Sequence, residues 1–256
     1  MLSRKKLVEP IVIKLGGSAI TFKDKPYSVN EEALVRISKI LRSYYEAGGR
    51  MVLVHGGGSF GHQAVFERRS RKGVLDQRDV SMVQYIMLKL AVKVMDILLE
   101  HGLPVTLYPG HVLCRKKCQS ISKLDYIIED LENGLVPMTH GDIIYSDRGE
   151  YIISGDDLTL WVASAVGATR VYFVTSEPGV LGPKGEVIEA LNSIDQVRVF
   201  NGKEIDVTGG VIGKIEKALS YSLDHDVEIR VIDIEGLAKV LQGKPAGTLI
   251  RHARRG

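Results

Sequence analysis

Cysteine is scarce: the 256-residue chain has two, Cys114 and Cys118. Two thiolates with His111 alone nearby do not make a structural zinc site, so the expectation is two reduced thiols in or near a loop. A bridge between them would fit a hyperthermophilic source. No run of about 18 or more apolar residues occurs, which excludes a membrane-crossing helix. Met1 to Lys6 is charged and passes straight into a strand pattern without the apolar core of a signal peptide, which points to the cytoplasm. Repeats, low-complexity runs and Pro/Ser-rich linkers are also missing, so any two lobes must share one continuous sheet. Charge of one sign is nearly balanced: a net +3 is too small to argue for nucleic acid and suits anionic small molecules equally well. The most basic stretch, Arg251-His252-Ala253-Arg254-Arg255, reads as a solvated terminus.

What is present is an ordinary globular composition, 45% hydrophobic and 25% charged, on a chain long enough for one large α/β domain or two small ones. Strand and helix patterns alternate. Val8 to Leu15 reads as a buried strand. Asn30 to Ala47 reads as a helix, with apolar residues at Leu34, Ile37, Ile40, Leu41 and Tyr44, a cap at Asn30 or Ser28, and Gly48-Gly49 as its stop. Met51–Val54, Pro104–Tyr108, Leu135–Met138, Arg170–Val174 and Glu228–Ile232 read as further strands. Asp79–Glu100, Ser120–Glu132, Asp156–Val166, Gly210–Leu223 and Ile234–Gln242 read as helices. Ile143–Tyr145 with Tyr151–Ile153 reads as a hairpin, and a second hairpin-like stretch surrounds Pro183-Lys184-Gly185. Such alternation predicts an α/β three-layer αβα sandwich with a mostly parallel central sheet.

Four segments carry chemistry. Lys14-Leu15-Gly16-Gly17-Ser18 ends the first strand, where ligands of open α/β sheets bind. It is not the common P-loop, and a tight strand–turn–helix corner would also place glycines there. His55-Gly56-Gly57-Gly58-Ser59-Phe60-Gly61-His62 follows the second strand. Its glycines let several N–H groups point at one anion, and His62, beyond them, is the better candidate for substrate contact, with His55 an orienting residue. Ser154-Gly155-Asp156-Asp157 has the look of any helix start, with Ser154 as cap and the aspartates at the positive end. Its functional reading has Gly155 offering an N–H to phosphate and Asp156 or Asp157 holding a catalytic lysine. Asp206-Val207-Thr208-Gly209-Gly210-Val211-Ile212-Gly213-Lys214 puts glycines at a helix start with an ammonium one turn in, a fit for nucleotide phosphate.

Together, in this order, the four segments resemble the amino acid kinase superfamily over essentially the whole chain. Within it, the His55–His62 form, Lys23, Pro26-Tyr27-Ser28 and His140-Gly141-Asp142 look like the isopentenyl phosphate kinases, with the fosfomycin kinases close behind. The resemblance implies the amino acid kinase fold as a single domain over 1–256, with a lobe over 1–158 for the phosphate acceptor and a lobe over 159–256 for ATP. It implies ATP-dependent phosphorylation of isopentenyl phosphate to isopentenyl diphosphate in isoprenoid biosynthesis. A fosfomycin-like phosphonate kinase, or a nucleotide-binding sensor or storage protein, are the alternatives. It implies a homodimer, with neither nucleic acid nor membrane as partner.

The roles it implies are these. Lys14, Gly16, Gly17 and Ser18 border the ATP phosphates; Lys23 reaches them from a loop; Gly58, Gly210 and Lys214 also bind nucleotide. Gly57, His62 and Gly155 hold the acceptor phosphate, and Lys14, Lys23, His62 and Lys214 form the catalytic set. Where the family usually has Thr-Asp-x-x-Gly, this chain reads Thr175-Ser176-Glu177-Pro178-Gly179, which leaves the nucleotide contact at Ser176 to the backbone. An acceptor phosphate is already ionised near neutral pH, so His62 is assigned to binding and orientation. Mg²⁺ is expected to arrive on ATP, with no dedicated protein ligand cluster. For the acceptor's apolar tail, Met82, Tyr85, Ile86 and Leu90 on the long helix are the expected wall, although ordinary core packing has the same spacing.

Overall fold

Strands with apolar residues at successive positions must be covered on both faces. Ile11–Leu15 (β1) and Met51–His55 (β2) are buried throughout. They pair in parallel, and β1 also pairs in parallel with Arg170–Val174 (β7). The computed structural model describes residues 9–114, 124–147, 149–193, 196 and 210–251. Within these, Val105–Tyr108 (β3), Val136–His140 (β4), Ala190–Leu191 (β8), Glu228–Ile232 (β9) and Thr248–Ile250 (β10) complete an eight-stranded sheet of order β3-β4-β2-β1-β7-β9-β10-β8. Only β10 runs antiparallel to a neighbour, β9. Asp142–Ser146 (β5) and Gly149–Ile153 (β6) form a separate hairpin.

The period-two alternation of strand side chains divides the core into two layers. Val12, Val52, Val54, Val171 and Phe173 face one way, against Leu124–Glu132 (α6), Gly155–Val166 (α7) and Gly210–Asp224 (α8). Ile13, Leu15, Leu53, Tyr172 and Val174 face the other, against Glu31–Glu46 (α2), Gln77–Glu100 (α4) and Ile234–Leu241 (α9). The result is the expected three-layer sandwich. Helix starts follow capping chemistry: the side chains of Asn30, Ser154 and Asp233 each accept an N–H of the first turn, and Asp76 with Asp79 forms a reciprocal box at α4.

Among the described elements, three helices escape the sequence reading: Gly17–Ile20 (α1), Gly58–Lys72 (α3) and Gly110–Leu113 (α5). The loop expected after β2 therefore ends at Gly57, and His62 stands on a helix. The hairpin expected around Pro183 reduces to a single antiparallel bridge, Leu181 to Val187. Val8 and residues 120–123, expected in a strand and a helix, lie outside the described residues. Cys114 corrects the expectation of reduced thiols: it is disulfide-bonded. Cys118, the only other cysteine in the sequence, lies outside the described residues.

Candidate active site

Two glycine corners meet at the carboxyl ends of β1 and β2. The Gly16 amide bonds the Val174 carbonyl at 2.8 Å, and the Gly56 amide bonds that of Leu15 at 2.9 Å. A side chain on Gly17 would strike the backbone of Gly58, and one on Gly58 would strike the Thr21 hydroxyl. Gly58 also sits at φ +47°, in the left-handed region that favours glycine. Thr21 ties the corners together, donating to the Gly17 carbonyl at 2.7 Å and accepting from the Ser59 amide at 3.0 Å. Gly57 and Gly58 open α3, so their amides belong to the unpaired first turn that attracts anions. His62 is exposed one turn further along α3 and lines the same cavity.

Opposite the corners stands a cluster of charges. Lys14 and Lys214 are 7% and 9% exposed, so each ammonium needs an anionic partner. Both find Asp156: Lys14 Nζ lies 2.6 Å and Lys214 Nζ 3.6 Å from Oδ1. Burial alone would raise the Asp156 carboxyl, but Lys14 and then Lys214 outweigh it and hold it below the usual carboxylate range. Burial, followed by the nearby Lys14 ammonium, lowers Lys214 from 10.5 to about 8. Both lysines also lie near the Phe173 ring, at 6.0 and 5.7 Å from its centre. Lys217, three positions along α8, pairs with Asp157 at 2.8 Å. The two aspartates are thereby told apart, Asp156 serving the buried lysines and Asp157 the outer one.

Lys14, Asp156, Lys214 and Lys217 line one cavity of about 1470 Å³, together with Gly16, Gly17, Ser18, Lys23, Gly155, Ser176 and Glu177. Away from these charges its lining includes Val65 and Phe66 of α3, Val83 and Met87 of α4, and Ile143, Ile152 and Ile153 of the hairpin, with Arg69 and Ser70 of α3 beside them. The expected wall is corrected by about half a helix turn. Tyr85 is 56% exposed on the outer face, Met82 is exposed as well, and Leu90 is buried in the main core. Ile86 lies partly buried between two core clusters. Residues 83 and 87 share a face, and residue 85 lies some 200° around the helix from 83.

Lys23 is exposed on the loop between α1 and α2. That loop is seated on α3: the Tyr27 amide bonds the Ser59 carbonyl at 3.3 Å, its hydroxyl bonds Glu67 at 2.8 Å, and its ring meets Phe60 edge-on. Gly210 opens α8, and Asp206 to Gly209 lie outside the described residues. The structure thus brings Lys14, Gly16, Gly17, Ser18, Lys23, Gly57, Gly58, His62, Gly155, Ser176 and Lys214 to one cavity. Sequence reasoning missed Thr21, Lys217, Phe173 and the actual apolar wall. Lys217 alone carried a signal, its spacing of three from Lys214 on a predicted helix.

Residues 9–233 match the model of the amino acid kinase family. The chain is 36% identical to the isopentenyl phosphate kinase of Haloferax volcanii, over 94% of this chain and 98% of that relative. It is 30% identical to the isopentenyl phosphate kinase of Methanothermobacter thermautotrophicus, over 87% of this chain and 90% of that one. A solved isopentenyl phosphate kinase structure superposes with a TM-score of 0.78 at 27% identity, covering 94% of this chain and 99% of that chain.

Proposed function

The chain belongs to the amino acid kinase family, and from that membership we propose that it transfers the γ-phosphoryl group of ATP to isopentenyl phosphate, giving isopentenyl diphosphate and ADP. One observation carries the reading: a cavity that gathers Lys14, Lys214 and the Gly57–Gly58 amides, and that is largely apolar where α3, α4 and the hairpin line it. That division matches an acceptor with a phosphate head and a short hydrocarbon tail.

Joining two phosphates is an electrostatic problem, since acceptor and triphosphate repel each other. An oxygen of the acceptor phosphate attacks the γ-phosphorus. The bond from that phosphorus to the β–γ bridging oxygen breaks, and its electron pair leaves with ADP. No proton need be removed from the acceptor, so His62 binds and orients its phosphate. Lys14 and Lys214 sit where the charge on the transferring group and leaving oxygen can be met, with Asp156 fixing both ammoniums. Lys23, Gly16, Gly17, Ser18, Gly210 and the Ser176 backbone are assigned to the nucleotide, Gly155 to the acceptor, and Gly57 to the acceptor and the transferring phosphoryl group. On this reading the acceptor side is built by residues 1–158 and the ATP side by 159–256, with Lys14, the first glycine corner and Lys23 reaching the ATP from the first part.

Among the described residues no three His, Cys, Asp or Glu side chains converge as metal ligands. Asp156, which lines the cavity, is engaged by Lys14 and Lys214. We assign Mg²⁺ to the ATP phosphates, where it would supply further charge neutralisation. The homodimer implied by the family would find an apolar face on α4, where Tyr85, Leu88, Val92 and Leu99 are exposed. Light scattering tests it. The use of ATP makes the cytoplasm the proposed compartment.

The test is phosphotransfer from Mg-ATP to a panel of isopentenyl phosphate, dimethylallyl phosphate, fosfomycin, uridylate and acetylglutamate. Selective turnover of isopentenyl phosphate is expected. His62→Ala should lower kcat/KM for it by about 10- to 100-fold, the worth of one hydrogen bond to a charged group. Preference for another acceptor would overturn the proposed substrate.

A further inference from the structure

His55, the last residue of β2, is fully buried and does not reach the cavity. Its Nδ1 lies 3.1 Å from the carbonyl oxygen of Gly56. A carbonyl only accepts, so Nδ1 carries the hydrogen and the ring is the neutral Nδ1–H tautomer. Burial, then the second histidine beside it, lowers the His55 pKa to about 3, which removes it from proton transfer at working pH. Its Nε2 finds no hydrogen-bond partner among the described residues. A buried unpaired nitrogen costs stability, and an apolar ring of the same size would avoid that cost. Packing alone therefore does not account for a histidine here.

The peptide that follows does. A trans peptide is planar, with its C=O and the next N–H pointing in opposite directions. Drawing the Gly56 carbonyl back onto the buried His55 ring turns the Gly57 N–H the other way, and Gly57 lines the cavity. Both residues flanking this peptide are glycines, so little else in the chain opposes its rotation. The Gly57 amide, at the cap of α3, has no helix bond to hold it. The ring itself is clamped. His140 ends the neighbouring strand in register with His55, and its ring stacks on that of His55 at 5.1 Å and 30°. His140 makes the same contact to its own following glycine, at 3.0 Å to the Gly141 carbonyl, and the Gly141 amide bonds the His55 carbonyl at 3.1 Å.

We infer that His55 is a positioning residue, which locks the Gly56–Gly57 peptide so that the Gly57 N–H faces the transferring phosphoryl group. The inference rests on the phosphotransfer reading above. His55→Phe keeps the ring and the stack but removes the donor, and His55→Asn keeps an N–H near the place of Nδ1. In His55→Phe, kcat should fall about 10- to 100-fold, less than the 10²- to 10³-fold typical of deleting such a donor outright. KM for ATP and for the acceptor should stay within about threefold, because the amide matters most in the transition state. His55→Asn should recover most of the lost kcat. Should His55→Phe not fold, His55→Leu carries the same expectations.

A second readout does not depend on the acceptor. On titration with inorganic pyrophosphate, the Gly57 amide proton should shift downfield in the wild type and in His55→Asn, and should lose that response in His55→Phe. An unchanged response together with unchanged kcat in His55→Phe overturns the inference, as does a loss that appears only in KM. If the wild type ignores isopentenyl phosphate yet Gly57 responds to pyrophosphate in a His55-dependent way, the positioning role stands and the proposed substrate falls.

Discussion

At Lys214 the same two forces act on activity and on stability with opposite signs. Burial and the Lys14 ammonium favour the neutral amine and bring its pKa to about 8, from 10.5. Above about 8 the free protein thus loses one of the charges that would bind ATP, and kcat/KM for ATP should fall with the loss of one proton. Across the window from about 8 to 10.5, the unfolded chain still holds that proton while the folded one has released it. The unfolded state then binds more protons, so this group's contribution to stability rises with pH. Lys214→Arg, charged throughout, should shift the alkaline limb of kcat/KM upward, even where its plateau is lower. An identical limb in that variant would assign the ionisation to another group. The lysine was legible in the sequence because it stands one turn into a helix opened by glycines. Which aspartate would serve it was not: Asp156 and Asp157 both suit a helix start, and only the rotation of α7 against β1 and α8 decides that Asp156 receives Lys14 and Lys214.

Elements were legible where periodicity was strong and illegible where tertiary contacts override weak local signals. The buried strands and the helices α2, α4, α7 and α9 lie close to their expected ranges, because apolar spacing and capping residues agree there. Helix α3 was read as a glycine loop because it begins Gly58-Ser59-Phe60-Gly61 and continues with a mostly polar sequence. It forms on α4 and the hairpin, where Ala64, Val80, Val83, Met87 and Ile143 make a satellite core. Missing α3 also misplaced the wall of the tail pocket, since without it nothing says which face of α4 looks inward. Val83 is 2% exposed and lines the cavity, whereas Tyr85 faces outward. Val83→Ala should therefore raise turnover of geranyl phosphate relative to isopentenyl phosphate by roughly tenfold or more, the scale on which a hydrophobic pocket discriminates a missing methyl group. Tyr85→Ala should leave that ratio unchanged. The reverse pattern in an acceptor-length series would move the pocket to the outer face.

The order of the sheet explains why chemistry gathers where it does. From β1 the chain passes to β2 on one side, while β7 lies on the other, so the carboxyl end of β1 is a switch point of the topology, where open α/β sheets bind ligands. Lys14, one residue before that end, meets the glycine loop after β2 and the Asp156 and Lys214 pair from α7 and α8. Among the described residues, strands of the first half occupy one side of the sheet and those of the second half the other, and they join through β1 and β7. The missing linker in the sequence anticipated this continuity. It did not reveal how much each half depends on the other. Val12 packs in one layer with Val171 and Phe173, and Ile13 and Leu15 pack in the other with Tyr172 and Val174. A fragment ending at residue 158 would leave the β7-facing edge of β1 unpaired and both layers open, with α7 cut near its start. Such a fragment should show no cooperative thermal transition and no native-like near-ultraviolet dichroism, while the full chain should unfold in a single transition. Saturating ADP should raise that transition as a unit, by about 2.7 kcal/mol at a hundredfold excess over Kd. A fragment that folds alone, or two resolved transitions of which ADP moves only one, would mean that the lobes are independent units and that Lys14 bridges two domains rather than anchoring one.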